Sequence, residues 1–162
     1  MRLSVQAGGA VILTAPQRID VSTIENFLAK HTEWIARASE KMRHVRSLPV
    51  SGRRDYLTHK EAARKLVHER LMYWNQFYKF PHGRIAIKNA KRLWGSCSRK
   101  GNLNFSYTLM FLPRELADYV IVHELCHLQE HNHSRAFWKL VEKTQPSCIQ
   151  LRRELKRYML TR

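Results

Sequence analysis

A chain of 162 residues with 44% hydrophobic side chains and four tryptophans is long and apolar enough for one packed domain, alone or with a small N-terminal annex; wholesale disorder is excluded. Its net charge of +16 is uneven: residues 61–100 hold ten basic and two acidic side chains, half of the excess, a field suited to anionic partners such as nucleic acid or to a generally basic surface. No apolar run approaches the roughly 20 residues that span a bilayer, residues 1–14 lack the apolar core of a secretory leader, and Cys97, Cys126 and Cys148 form no CxxC pair, so the expectation is a soluble cytoplasmic protein with reduced thiols and no membrane partner.

In chain order, Leu3–Val5 and Val11–Leu13 flank Gly8-Gly9, which predicts a β-hairpin. Ser22-x-x-Glu25 reads as a capping box, and Ile24, Phe27, Leu28, Ile35 and Ala38 follow at helical spacing, predicting one helix to about Arg43. Residues Pro49 to Arg54 read as a linker. A second capping box, Thr58-x-x-Glu61, predicts a helix through Leu66, Tyr73 and Trp74 that stops before Pro81. Ile85 to Ile87 is a short strand, and Trp94 to Gly101 is turn-rich. From Asn102 to Phe111 apolar and polar residues alternate, which predicts a ten-residue strand with one apolar face. Pro113 then opens an apolar helix, Ser134 caps another, and a last basic helix runs from about Ser147 to Met159.

The chemistry concentrates in His123-Glu124-Leu125-Cys126-His127. Histidines four apart project from one helix face, one turn above the other, and can meet a single Zn²⁺. Glu124, one residue on, is placed to take a proton from water on that metal. The motif interrupts the apolar helix of Leu116, Ala117, Tyr119, Val120, Ile121 and Val122, where polar rings are costly unless paired or metal-bound. A hydrolytic zinc site needs a third ligand and one open position. The candidates are His133, in a turn that can fold back to the metal, and His131, in line with His127 if the helix continues. Ser134 as a helix start favours His133. Tyr119 lies one turn before His123, within reach of a polarised carbonyl or of the core, and Cys126 reads as a buried thiol.

Trp94-Gly95-Ser96-Cys97, Tyr119 to Leu128, and Asn132-His133-Ser134 with Phe137-Trp138 together resemble the YgjP-like metallopeptidase family, relatives of the SprT-type proteases, over about residues 85–146. The resemblance implies an α+β, zincin-like metallopeptidase core over residues 55–162, with a small antiparallel sheet and an active-site helix. The hairpin and first helix, residues 1–50, form an annex. It also implies one Zn²⁺ per chain held by His123, His127 and His133, Glu124 as catalytic base, and a peptide or protein substrate. In such folds the strand beside the active helix often pairs with extended substrate; Asn102 to Met110 is the candidate, with Trp94, Asn102 and Asn104 as substrate-binding residues.

Three other readings stand beside this one. The basic stretch Arg64 to Lys100 interleaves Tyr73, Trp74, Phe77, Tyr78, Phe80 and Trp94, a pattern of nucleic-acid binding modules and equally of a helix core. A nucleic-acid-binding protein with a structural or vestigial metal site is therefore the alternative, as is a protease acting on nucleic-acid-bound proteins. Hydrolysis of a non-peptide amide is the third.

Overall fold

The computed structural model describes residues 1–48, 52–90 and 92–159, which fall into two units: residues 1–47 with 157–159, and residues 48–156. In the first, β1 (Arg2–Val5) and β2 (Val11–Thr14) form an antiparallel hairpin whose Gly8 and Gly9 both take the positive φ of its turn. Two helices follow, α1 (Val21–Lys30) and α2 (Thr32–Arg43), where one was expected. The break has a local cause. His31 Nδ1 bonds the Phe27 carbonyl at 2.7 Å, and the Thr32 hydroxyl donates to the Ala29 carbonyl at 2.9 Å, so side chains consume the acceptors that a continuing helix would use. The cap of α1 is Asp20, not Ser22: its carboxylate accepts the Thr23 N–H at 2.8 Å. β3 (Arg46–Ser47) ends this stretch.

The second unit begins with α3 (Gly52–Tyr78), whose inner face is Ala63, Val67, Arg70, Leu71 and Tyr78. The expected start at Thr58 is overturned: its hydroxyl donates back to the Arg54 carbonyl at 3.1 Å, as in a helix interior. Of the linker expected at Pro49 to Arg54, residues 52–54 are helical instead, and 49–51 lie outside the described residues. β4 (Ile85–Lys88), β5 (Gly95–Cys97) and β6 (Leu103–Ser106) make a sheet in the order β4-β6-β5, with β4 parallel and β5 antiparallel to β6.

The ten-residue strand does not form. After Ser106 the chain enters a 3-10 turn, Tyr107–Phe111. The Ser106 hydroxyl accepts the Thr108 N–H at 3.3 Å and bonds its hydroxyl at 2.7 Å, closing the chain on itself. Tyr107 and Leu109 still reach the core, at 2% and 0% exposure, but Ser106 and Thr108 of the expected polar face are buried as well, at 1% and 4%, so the alternation fails beyond the strand in burial as in backbone. Next comes α4 (Arg114–Cys126), with Pro113 as its N-cap; almost every residue from Leu116 onward is buried, so it is the central helix of this unit. α5 (Arg135–Glu142) and α6 (Cys148–Leu155) bury Phe137, Val141, Cys148 and Leu151. The Arg70 guanidinium on α3 grips the Asp118 carboxylate of α4 through two bonds, 2.7 and 2.8 Å, both side chains being about nine-tenths buried. The last helix is shorter than expected: Tyr158–Met159 is β7, which returns to the first unit and pairs parallel with β3. Among the described residues no helix is long and apolar enough to cross a membrane.

Candidate metal centre

α4 presents His123 and His127 one turn apart, with ring centroids 4.8 Å apart. Beyond His127 the chain turns: the N–H groups of Gln129 and Glu130 both bond the Cys126 carbonyl. Two short polar side chains then aim His133. Asn132 Oδ1 accepts the Ser134 N–H at 3.2 Å, and Ser134 Oγ accepts the Phe137 N–H at 3.3 Å, which caps α5. Between these caps the His133 ring comes within 5.0 Å of His123 and 4.8 Å of His127. Nitrogens of the three imidazoles all lie within 4.8 Å of one another. His131 does not belong to this cluster; its side chain is exposed.

The donor set fits a metal ion. Nε2 of His133 and Nε2 of His123 face each other at 3.0 Å. Two nitrogens bound tetrahedrally to one zinc at about 2.0–2.1 Å would stand roughly 3.3 Å apart. His127 Nδ1 donates to the Glu130 carbonyl at 2.9 Å, which fixes the tautomer and leaves Nε2 with its lone pair free. His123 Nδ1 is buried with no partner, so that ring is anchored by a polar contact only through Nε2. Burial, then repulsion from His127, His133 and Arg152, pushes the His123 pKa down to about 3. Burial also lowers that of His127, against the opposing pull of the Glu130 carbonyl. Both rings are thus neutral near pH 7, as ligation requires.

Aromatic rings wall the cluster. Phe137, fully buried, lies 4.9, 4.5 and 4.8 Å from the rings of His123, His127 and His133. Trp138 stacks on His133 at 5.8 Å and stands 6.1 Å from His123. The Arg152 guanidinium of α6 lies over the Trp138 ring at 5.1 Å. Tyr119, 3% exposed, packs 6.0 Å from His123 and is pushed up to about 12 by burial, so it stays a neutral phenol.

Glu124 points to the sheet. It is 6% exposed, and burial pushes its pKa up to about 8. A Cβ placed on Gly95 of β5 would sit 2.6 Å from Glu124 Cγ and 2.8 Å from Oε1, so the carboxyl lies directly on the Gly95 backbone. Burial and this same carboxylate raise the Cys97 thiol. A buried carboxyl titrating near neutrality, one residue from His123 on the same helix, suits proton transfer. Gly95 is not a site residue by sequence alone; its signal is the Trp-Gly-Ser-Cys run, a turn-rich segment and one of the motifs of the family resemblance. Trp94, half-buried, precedes it, and the Trp94 carbonyl accepts from the Ser106 N–H at 2.8 Å. The two asparagines are tied into the sheet: Asn104 Nδ2 donates to Ser96 Oγ at 3.1 Å, and Asn102 Oδ1 accepts the Arg84 N–H at 2.9 Å. β6, which carries Asn104, is central, with both of its edges already paired.

The chain is similar to the crystallised metallopeptidase zymogen abylysin of Pyrococcus abyssi, at 25% identity and a TM-score of 0.51, over 57% of this chain and 98% of that one. The zymogen jannalysin of Methanocaldococcus jannaschii matches at 24% identity and a TM-score of 0.46, over 57% and 92%. No curated protein matches. The family model described as the YgjP-like metallopeptidase domain matches residues 54–158, close to two thirds of the chain. The zincin-like α+β core, the histidine cluster and this match lead to one conclusion: the chain belongs to the YgjP-like metallopeptidase family and is a metal-dependent peptidase.

Proposed function

We propose that His123, His127 and His133 hold one Zn²⁺ per chain and that Glu124 is the general base of peptide-bond hydrolysis. The observation that carries this reading is the convergence of three imidazole nitrogens within 4.8 Å at the C-terminal end of the helix that also buries a carboxyl titrating near pH 8. An all-imidazole donor set suits zinc among the common divalent ions. When bound, the metal supplies Lewis acidity for the scissile carbonyl and for the attacking water. Glu124 Oε takes the proton that the water gives up and delivers it to the leaving amine nitrogen. The Gly95 backbone keeps that carboxyl in a fixed direction, and Phe137 holds the three rings.

Extended substrate is read by β5. With β6 enclosed, β5 is an edge strand of its sheet and lies against Glu124, so a peptide pairing there would pass the base. Trp94 adjoins that edge as a substrate-binding residue, whereas Asn102 and Asn104 act on substrate through the placement of β5. With a metallopeptidase family established, a chain that only binds nucleic acid is not favoured. Glu124→Gln should keep about one zinc per chain and abolish cleavage of unfolded casein; His133→Ala should lose the zinc. Full activity in Glu124→Gln would overturn the mechanism, and full zinc occupancy in His133→Ala would overturn the ligand set.

A further inference from the structure

We propose that Arg152 binds an acidic group of the substrate, a carboxylate of an Asp or Glu side chain or of the free C-terminus, beside the metal centre. This rests on the three-histidine centre being the site of peptide hydrolysis, and it names the substrate class that the centre selects.

Three observations carry it. Arg152 is placed at the site by stacking: its guanidinium lies 5.1 Å over Trp138, the ring that stacks on His133 and stands 6.1 Å from His123. Its charge has no ion-pair partner among the described residues. Among the described residues the ion pairs of arginine join Arg37 to Glu33, Arg43 to Glu40, Arg64 to Glu61 and Arg70 to Asp118, and none includes Arg152. Nor does α6 offer it an acid, since one turn away on either side stand Cys148, Ile149, Leu155 and Lys156. Finally, the side chain is exposed, so its donors are open to an incoming group.

The comparison with Arg70 is instructive. That arginine also lies over a ring, Tyr73 at 4.5 Å, but its donors are spent on Asp118 in the buried core. A guanidinium held over an indole by its face can keep N–H groups free and loses less freedom when a planar carboxylate bonds it through two oxygens. Arg152 lies over Trp138, and among the described residues no carboxylate pairs with it. A peptide passing the three histidines with an acid within reach of Trp138 would supply one.

The test uses full-length, zinc-loaded protein and short quenched-fluorescent peptides that carry Glu, Gln or Lys at each position in turn, each made with a free and an amidated C-terminus. Wild type should cleave an acidic member fastest, and Arg152→Gln should lower kcat/KM for it about tenfold more than for its Gln counterpart, one charge-assisted contact's worth. Arg152→Lys should restore part of the preference. Arg153→Gln, which removes the neighbouring cation, should leave the preference intact. Loss of preference on amidation assigns the terminal carboxylate; loss on Glu-to-Gln exchange in the peptide assigns a side chain. Equal rates for acidic and neutral peptides in wild type, or an Arg152→Gln effect that does not distinguish them, would overturn the proposal. If wild type cleaves no peptide, the hydrolytic reading fails by itself. Arg152 is then judged by fluorescence anisotropy of a fluorescein-labelled Glu-rich peptide on zinc-loaded Glu124→Gln protein: adding Arg152→Gln should weaken Kd about tenfold, and an unchanged Kd refutes its role.

Discussion

Gly95→Ala isolates the carboxyl of Glu124 from the metal ligands. Gly95 does not occupy a left-handed conformation, so alanine is permitted by the backbone and the perturbation is one of space. The new methyl would lie 2.6 Å from Glu124 Cγ, where carbon atoms prefer about 3.5–4.0 Å, so the carboxyl must retreat by about 1 Å. It cannot retreat freely, being 6% exposed within a helix packed almost all round. Overpacking of this kind costs about 1–3 kcal/mol, or a few degrees in Tm. A displacement of about 1 Å at the base costs on the order of a hundredfold in turnover. The three imidazoles are untouched, so zinc content by elemental analysis should stay at the wild-type value. Casein or quenched-peptide hydrolysis by the zinc-loaded protein reads the rate, and a thermal melt reads the strain. Wild-type turnover with an unchanged melt would refute the argument that Gly95 sets the direction of Glu124.

Phe137→Ala opens a cavity beneath all three histidine rings; it should cost about 3–5 kcal/mol in urea unfolding and weaken zinc, in competition with a chromophoric chelator, by about ten- to a hundredfold. Asp118→Asn leaves the buried Arg70 guanidinium without its counter-charge and should destabilise by about 3–5 kcal/mol, while the double change Arg70→Met with Asp118→Leu should recover most of that; a loss below about 1 kcal/mol in the single variant would show the pair to be solvated. Removing metal with a chelator should lower the thermal midpoint, and restoring zinc at about a hundred times its Kd should return about 2.7 kcal/mol, whereas an unmoved midpoint would count against any metal centre in the folded chain.

What the sequence revealed followed the range of each interaction. The histidine motif, the apolar helix around it and the Asn-His-Ser turn are local patterns, and Ser134 caps its helix as its position implied. His133 rather than His131 comes into reach because the chain turns after Glu130, which the Ser134 signal foreshadowed. Errors arose where two local signals competed. Ser106 and Thr108 close a turn inside an alternating run, and His31 with Thr32 breaks a helix whose apolar spacing continues across it. Thr58 has the look of a cap and serves as an interior residue instead. The partners in the Gly95–Glu124 contact and the Arg70–Asp118 pair could not be matched from local sequence, since each joins elements distant in the chain.

The division between local and distant contacts has a consequence for how the site assembles. Only five residues separate His127 from His133, so bringing the third imidazole to the first two costs the closure entropy of a very short loop. Residues 123–138 contain every candidate ligand and both rings that wall them. The direction of Glu124, by contrast, is set by Gly95 of β5, far upstream in the chain. The ligand cluster is therefore local in sequence, whereas the placing of the base needs the sheet packed beside α4.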